Sequence, residues 1–221
     1  MARLLIISAH PDDETLGMGG TILKHVAASD EVHWLVATSG WEPRWSRQVL
    51  DGKSAEIVAV AARYRFTSVT RAGLPATRLA DLPLNDVIDA FAPAFASAPD
   101  TVYCVHPGDV HTDHARTFEA AWILAKPFRA GSGGVRRFLC YETLSSTDAA
   151  PPQPQRAFIP TAWSAIDTLE DKLSIMALYA SEAQAEPLPR APSAIRALAR
   201  LRGAQCGLAQ AEAFTVLRHV W

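Results

Sequence analysis

His10-Pro11-Asp12-Asp13-Glu14 crowds an imidazole and three carboxylates into one short stretch, directly behind the apolar run Leu4-Leu5-Ile6-Ile7-Ser8-Ala9. Nitrogen and carboxylate donors in a tight turn at the end of a buried strand are the makings of a metal-centred hydrolytic site. Such a site needs a few protein ligands, an open position for water and a nearby base. Consecutive side chains diverge at a strand-to-helix turn, so one aspartate can reach a metal bound by His10 while its neighbour points into a cleft. A third ligand must come from elsewhere. The obvious donor is His106-Pro107-Gly108-Asp109-Val110-His111-Thr112-Asp113-His114, which follows a second strand-like run at residues 101–105. Packing and capping account for Glu14 and Asp113 individually, since acids are common at helix starts, and His106 could simply cap a strand. They do not account for two such clusters behind two buried strands.

The elements that must bring these clusters together are readable as alternating strands and helices. Short apolar or β-branched runs at 4–8, 32–38, 66–70, 101–105 and 138–141 predict buried strands, and helical patterns at 15–28, 47–63, 83–97 and 113–125 lie between them. That alternation predicts an α/β protein: a Rossmann-like three-layer sandwich with a mostly parallel sheet covered on both faces. In such a sheet all parallel strands deliver their following loops to one carboxyl edge, where the two clusters would meet. Beyond residue 130, loops are expected at 131–134, 149–155 and 186–192, helices at 165–181 and 193–202, and a last strand or helix end at 213–219. No internal repeat or linker divides the chain, which reads as one domain over 1–221. Gly17-Met18-Gly19-Gly20 invites comparison with a dinucleotide fingerprint, but the third required glycine is Ile22 and the acidic turn would repel a pyrophosphate. These glycines are read as permitting close helix–sheet packing.

Composition narrows the function further. The chain has 221 residues, 49% of them hydrophobic, and a formal net charge of -2. Interspersed charges without a basic stripe argue against nucleic acid, and no segment is long and apolar enough for membrane insertion. The start Met1-Ala2-Arg3-Leu4 lacks secretory signal anatomy. Cys104, Cys140 and Cys206 are odd in number and widely spaced, with no CxxC pair. A reducing, cytoplasmic setting follows as the expectation. A homo-oligomer is compatible with all of this.

Ala9-His10-Pro11-Asp12-Asp13-Glu14, followed by Leu16-Gly17 and Gly19-Gly20, together with His111-Thr112-Asp113-His114, closely resembles the PIG-L/LmbE-like zinc deacetylases. Those enzymes remove the acetyl group from N-acetylglucosamine-type sugars and their conjugates. Tyr141-Glu142, Ser145-Ser146-Thr147, Lys172, Pro187 to Arg190, and the ending Arg202-Gly203, Gly207 and Ala211-Glu212-Ala213-Phe214 also resemble one bacterial branch. The resemblance implies an LmbE-like fold, an amino-sugar substrate, and His10, Asp13 and His114 as zinc ligands, with another divalent metal such as Fe2+ as the alternative. It implies that Asp12 is the general base and later the proton donor to the leaving amine. Protonated His111 would stabilise the oxyanion. Asp113 would orient and charge His111, or serve only as a helix cap.

Substrate contacts are less constrained. Trp41 and Trp45, with Arg44 and Arg47, follow the second strand, where indoles could stack on a sugar and an arginine could bind hydroxyls or phosphate. An aromatic loop packed on its own helix is the rival reading. Arg78 and Tyr141 complete the expected substrate contacts, with structural support the alternative for Tyr141. The sugar-reading loops depart from the family pattern at Thr38-Ser39-Gly40-Trp41, at Pro75-Ala76-Thr77-Arg78 with Asp81 beyond, and at Leu188. Two further readings use the same donors: a non-haem iron centre, for which paired Asp12 is unnecessary, and a metal-dependent sugar-binding protein without turnover.

Overall fold

A computed structural model of the chain describes residues 1–128 and 134–221. Its strands are β1 (Arg3–Ser8), β2 (Glu31–Ser39), β3 (Ser68–Pro75), β4 (Thr101–Val105), β5 (Arg137–Tyr141), β6 (Ala162–Ala165) and β7 (Ala211–His219). They form one sheet in the order β3-β2-β1-β4-β5-β7-β6. The first five are parallel, and β7 joins antiparallel to both β5 and β6. The helices are α1 (Asp13–Ala27), α2 (Arg47–Tyr64), α3 (Leu84–Phe91), α4 (Thr112–Leu124), α5 (Leu169–Met176) and α6 (Pro192–Ala204). Helix α1 packs with α2 and α5, and α5 with α6, while α3 packs with α4. Right-handed crossovers run from β1 out to β2 and β3 through α1 and α2, and in the opposite direction from β3 to β4 and β5 through α3 and α4, which puts these two groups on opposite faces.

The central strands are apolar throughout because both of their faces are covered. All of β4, and β1 beyond Arg3, is buried. β1 and β4 are hydrogen-bonded neighbours, with Ile7 opposite Cys104. The chain order reverses between them, and in open α/β sheets the ligand crevice lies at the carboxyl ends of the strands where that reversal occurs.

Helix α1 lies against the sheet through its glycines, as expected. A Cβ on Gly17 would meet Tyr141 Cδ2 at 2.2 Å, and one on Gly20 would meet Ile166 Cγ2 at 2.7 Å. Lys172 of α5 donates to Leu16 O (2.8 Å) and to Glu212 of β7 (2.7 Å). Glu212 also accepts from Gly20 N, Thr21 N and Thr21 Oγ1.

Several elements differ in extent from expectation. β3 runs later and longer than 66–70, because an edge strand paired only with β2 needs no continuous apolar run and carries Arg71. Residues 162–165 form strand β6, which takes the first residue of the helix expected at 165–181, and α5 is confined to Leu169–Met176. The last segment is a strand, extending to Ala211. Residues 131–133 of the expected loop at 131–134 lie outside the described residues.

Candidate metal centre and cleft

The turn from β1 into α1 and the turn from β4 into α4 meet at the switch point and line a cleft of about 560 Å³. Asp13 opens α1, and its Oδ2 accepts from the His10 backbone N–H at 2.8 Å, which locks the turn. Asp12, the residue before it, is held at φ 117. This left-handed backbone is costly for a non-glycine residue, by about 1–3 kcal/mol, and such strain clusters at functional sites. Its side chain makes no capping bond. Glu14 is wholly buried, accepting from Ser8 Oγ (3.2 Å), Thr15 Oγ1 (2.7 Å), Tyr179 OH (2.7 Å) and the Asp12 N–H (3.3 Å). It supports the turn from beneath rather than facing the cleft.

His10, His111 and His114 each present a ring nitrogen within 4.8 Å of the other two. His10 Nε2 donates to Asp113 at 3.0 Å, leaving Nδ1 on the side of Asp13, 3.8 Å from its carboxylate. His114 Nδ1 donates to Asp109 at 2.6 Å, leaving Nε2 3.5 Å from Asp13 Oδ1. Each ring therefore has one nitrogen tied to a carboxylate and the other turned toward Asp13, the arrangement that fixes tautomer and direction in histidine metal sites. Imidazole nitrogens with a carboxylate oxygen suit zinc and also iron. Ring nitrogens of His10, His111 and His114 lie close enough together to fit such an ion, and the Asp13 carboxylate stands 3.8 Å from His10 Nδ1 and 3.5 Å from His114 Nε2.

The expectation for Asp113 needs correction. Its carboxylate serves His10 at 3.0 Å and stands 4.0 Å from His111 Nδ1. Thr77 N (2.6 Å) and Leu79 N (3.0 Å) also donate to it. Burial works against its charge, but His10 and these N–H groups hold its pKa below the ordinary value. Asp113 is thus a buried support for His10 and does not line the cleft. Asp109, overlooked in the sequence, plays the same part for His114. Burial disfavours charge on His114 as well, yet Asp13 and Asp109 raise its pKa.

His111 is not the imidazolium expected. Burial, with His10 and His114 beside it, lowers its pKa to about 4. A cation held by those neighbours would push it further the same way. Its Nδ1 accepts from the Asp113 N–H (3.2 Å), so the neutral ring carries its proton on Nε2 and remains a donor.

Asp12 has its pKa raised well above the usual carboxylate value by burial, then by Asp13 and Glu182, while Arg190 pulls it down. Arg190 Nη1 donates to Asp12 Oδ2 at 2.8 Å and to Glu182 Oε2 at 2.8 Å, and Glu182 accepts from Lys53. Arg190, Glu182 and Lys53 all line the cleft. The sequence marked Arg190 only as part of a resembling motif.

Of the expected substrate contacts, Arg47 lines the cleft, and so does Trp45. Trp41, Arg44 and Arg78 do not: Trp41 spends its indole N–H on Ala76 O (3.1 Å), Arg78 lies over the Trp41 ring (5.1 Å), and Arg44 over the Trp45 ring (5.0 Å). Tyr141 is a correction too. It is fully buried, its hydroxyl donating to Ile7 O at 2.8 Å, so it buttresses β1 and cannot reach a ligand.

A Rossmann-like α/β protein with a histidine–carboxylate cluster at its switch point is thereby defined. The chain belongs to the PIG-L family, described as GlcNAc-PI de-N-acetylase, whose model matches residues 5–125, more than half of its length and both clusters. It is similar to the 1D-myo-inositol 2-acetamido-2-deoxy-alpha-D-glucopyranoside deacetylase of Rhodococcus jostii, 47% identical over 60 residues. That stretch covers 27% of this chain and about a fifth (19%) of the relative. The N,N'-diacetylchitobiose deacetylase of Pyrococcus horikoshii superposes with a TM-score of 0.76 at 20% identity, over 98% of this chain and 84% of that one. A 4-carboxy-2-hydroxymuconate hydratase from Pseudomonas putida does so at 0.69 and 19%, over 100% and 98%. Likeness at this level of identity shows the shared fold and leaves the reaction to the site.

Proposed function

We propose that this chain, acting as one domain, is a zinc-dependent hydrolase that removes the N-acetyl group from an N-acetylglucosamine-type amino sugar or its conjugate. The observation that carries the reading is Asp12, held against the cleft beside the cluster of His10, Asp13, His111 and His114, in a chain of the PIG-L family. His10, Asp13 and His114 would hold the metal, with Fe2+ the alternative. Zinc supplies Lewis acidity there, polarising a carbonyl and acidifying water toward neutrality. Asp12 takes the proton of the attacking water and returns it to the leaving amine. The Nε2–H of neutral His111 donates to the carbonyl oxygen as negative charge develops on it. Asp113 and Asp109 keep the two ligand rings aimed. Arg47 and Trp45 would meet the sugar or its aglycone along the cleft wall. Among the described residues no helix is long and apolar enough to cross a membrane, and Cys104, Cys140 and Cys206 are unpaired, which supports a cytoplasmic setting.

An acetate-release screen over N-acetyl sugars, with and without chelator and added zinc, tests the reaction. Asp12→Asn should lower kcat by about 10²–10⁴-fold at unchanged metal content, the range of general base catalysis. Near wild-type hydrolysis by Asp12→Asn at saturating zinc would remove Asp12 from the base role. His10→Ala and His114→Ala should each lose metal by elemental analysis.

A further inference from the structure

We infer that Arg190 is a positioning residue for Asp12, and that the segment between α5 and α6 is a strap that aims the base; the inference rests on the proposed hydrolysis. The other acids in the centre are tied to the two turns themselves. Asp13 accepts from the His10 N–H, Asp113 from two backbone N–H groups and His10, and Asp109 from His114. The carboxylate of Asp12 has a single hydrogen-bond donor among the described residues, Arg190 Nη1 at 2.8 Å. It does not cap α1, and its backbone sits at φ 117, so nothing local fixes its rotamer.

Arg190 is itself well anchored. Its Nη1 also donates to Glu182, which Lys53 of α2 holds in turn, and its backbone N–H donates to Gln184 Oε1 at 3.0 Å. The same segment grips the turn a second time. Tyr179 OH donates to Glu14, and Glu14 accepts the Asp12 N–H, so the strap holds both the backbone and the side chain of Asp12. With Oδ2 fixed by the guanidinium, Oδ1 is left to the water that is to be deprotonated. Arg190 keeps unspent capacity, since its buried Nε has no partner among the described residues.

The test uses the zinc-loaded full chain. Arg190→Ala should lower kcat by about 10²-fold, the cost of a base misplaced by about 1 Å, with KM within about threefold and metal content unchanged. Millimolar guanidinium chloride should restore about tenfold of the lost kcat in Arg190→Ala and none in Asp12→Asn, because only the first lacks a guanidinium. Arg190→Lys should fall between. If Arg190→Ala does not fold, Glu182→Gln serves: it leaves Arg190 in place with a weaker anchor and should cost about three- to tenfold in kcat at constant KM. Wild-type kcat in Arg190→Ala or Glu182→Gln, or a loss that follows metal loss and ignores guanidinium, overturns the inference. A wild-type protein that releases no acetate across the sugar panel instead overturns the proposed hydrolysis, and the inference with it.

Discussion

Helix α1 is gripped by two ion-pair networks of opposite character. Beneath it, Lys172 and Glu212 are each 3% exposed, and Glu212 accepts hydrogen bonds from Lys172, Gly20 N, Thr21 N and Thr21 Oγ1. At its start, Arg190 is 21% exposed, shares one nitrogen between Asp12 and Glu182, and has no partner for its Nε among the described residues. Partly satisfied polar groups cost free energy in a protein interior, whereas a satisfied network fixes one arrangement of the elements it joins. The difference separates scaffolding from chemistry: the saturated network joins α1, α5 and β7, and the unsaturated one borders the cleft.

The largest effect that could break this contrast comes from Lys172. Lys172→Met strands Glu212 as a buried uncompensated charge and should cost about 3–5 kcal/mol in denaturant unfolding. The fraction that folds should bind metal and turn over normally. Arg190→Ala should show the reverse pattern, a small stability change with a large loss of kcat. Were Lys172→Met to remain stable while losing turnover, the division between the two networks would be wrong.

A smaller effect compares the two supported histidines. Asp109→Asn leaves His114 in place but weakens the carboxylate that aims it, and metal affinity should fall by about 10–100-fold by competition with a chromophoric chelator. An unchanged affinity would make Asp109 a loop-packing residue. Its orphaned buried Oδ1 would then need another account.

These partners also mark where the sequence stops being legible. Local spacing after two apolar strands announces the two clusters, the family resemblance singles out His10, Asp12, Asp13 and His114 within them, and the same alternation predicted the parallel core of the sheet. Asp109 lies in the same run, but Gly108-Asp109 reads as a turn until the fold places it 2.6 Å from His114. Arg190 meets Asp12 across 178 residues, a distance no local pattern spans. Tyr141 was misread because an aromatic residue at the carboxyl end of a strand can face either the cleft or the core, and the absence of a Cβ at Gly17 draws it inward. β6 escaped notice because four residues, Ala162–Ala165, carry too little periodicity to be seen.

The subtlest test sets His111 against His114, whose rings lie 5.4 Å apart. In the metal-free protein they should titrate with opposite signs. His111 is lowered to about 4, below the value of about 6.5 expected when unfolded. Between those values the unfolded chain binds more protons, so the stability that comes from keeping His111 neutral is present above pH about 6.5 and is lost as the pH falls toward 4. His114 is raised, so its contribution is full below pH about 6.5 and is lost as pH rises through its folded value. Removing His111 alone should therefore flatten the acid side of the stability curve and leave the alkaline side alone. Melting temperatures of chelator-treated wild type and His111→Gln, taken from pH 8 to 4, should keep a constant offset above about pH 6.5, and the wild type should fall faster than the variant as the pH drops toward 4. Parallel curves would mean that His111 is not held neutral, and the assignment of its proton to Nε2, facing a developing oxyanion, would have to be abandoned.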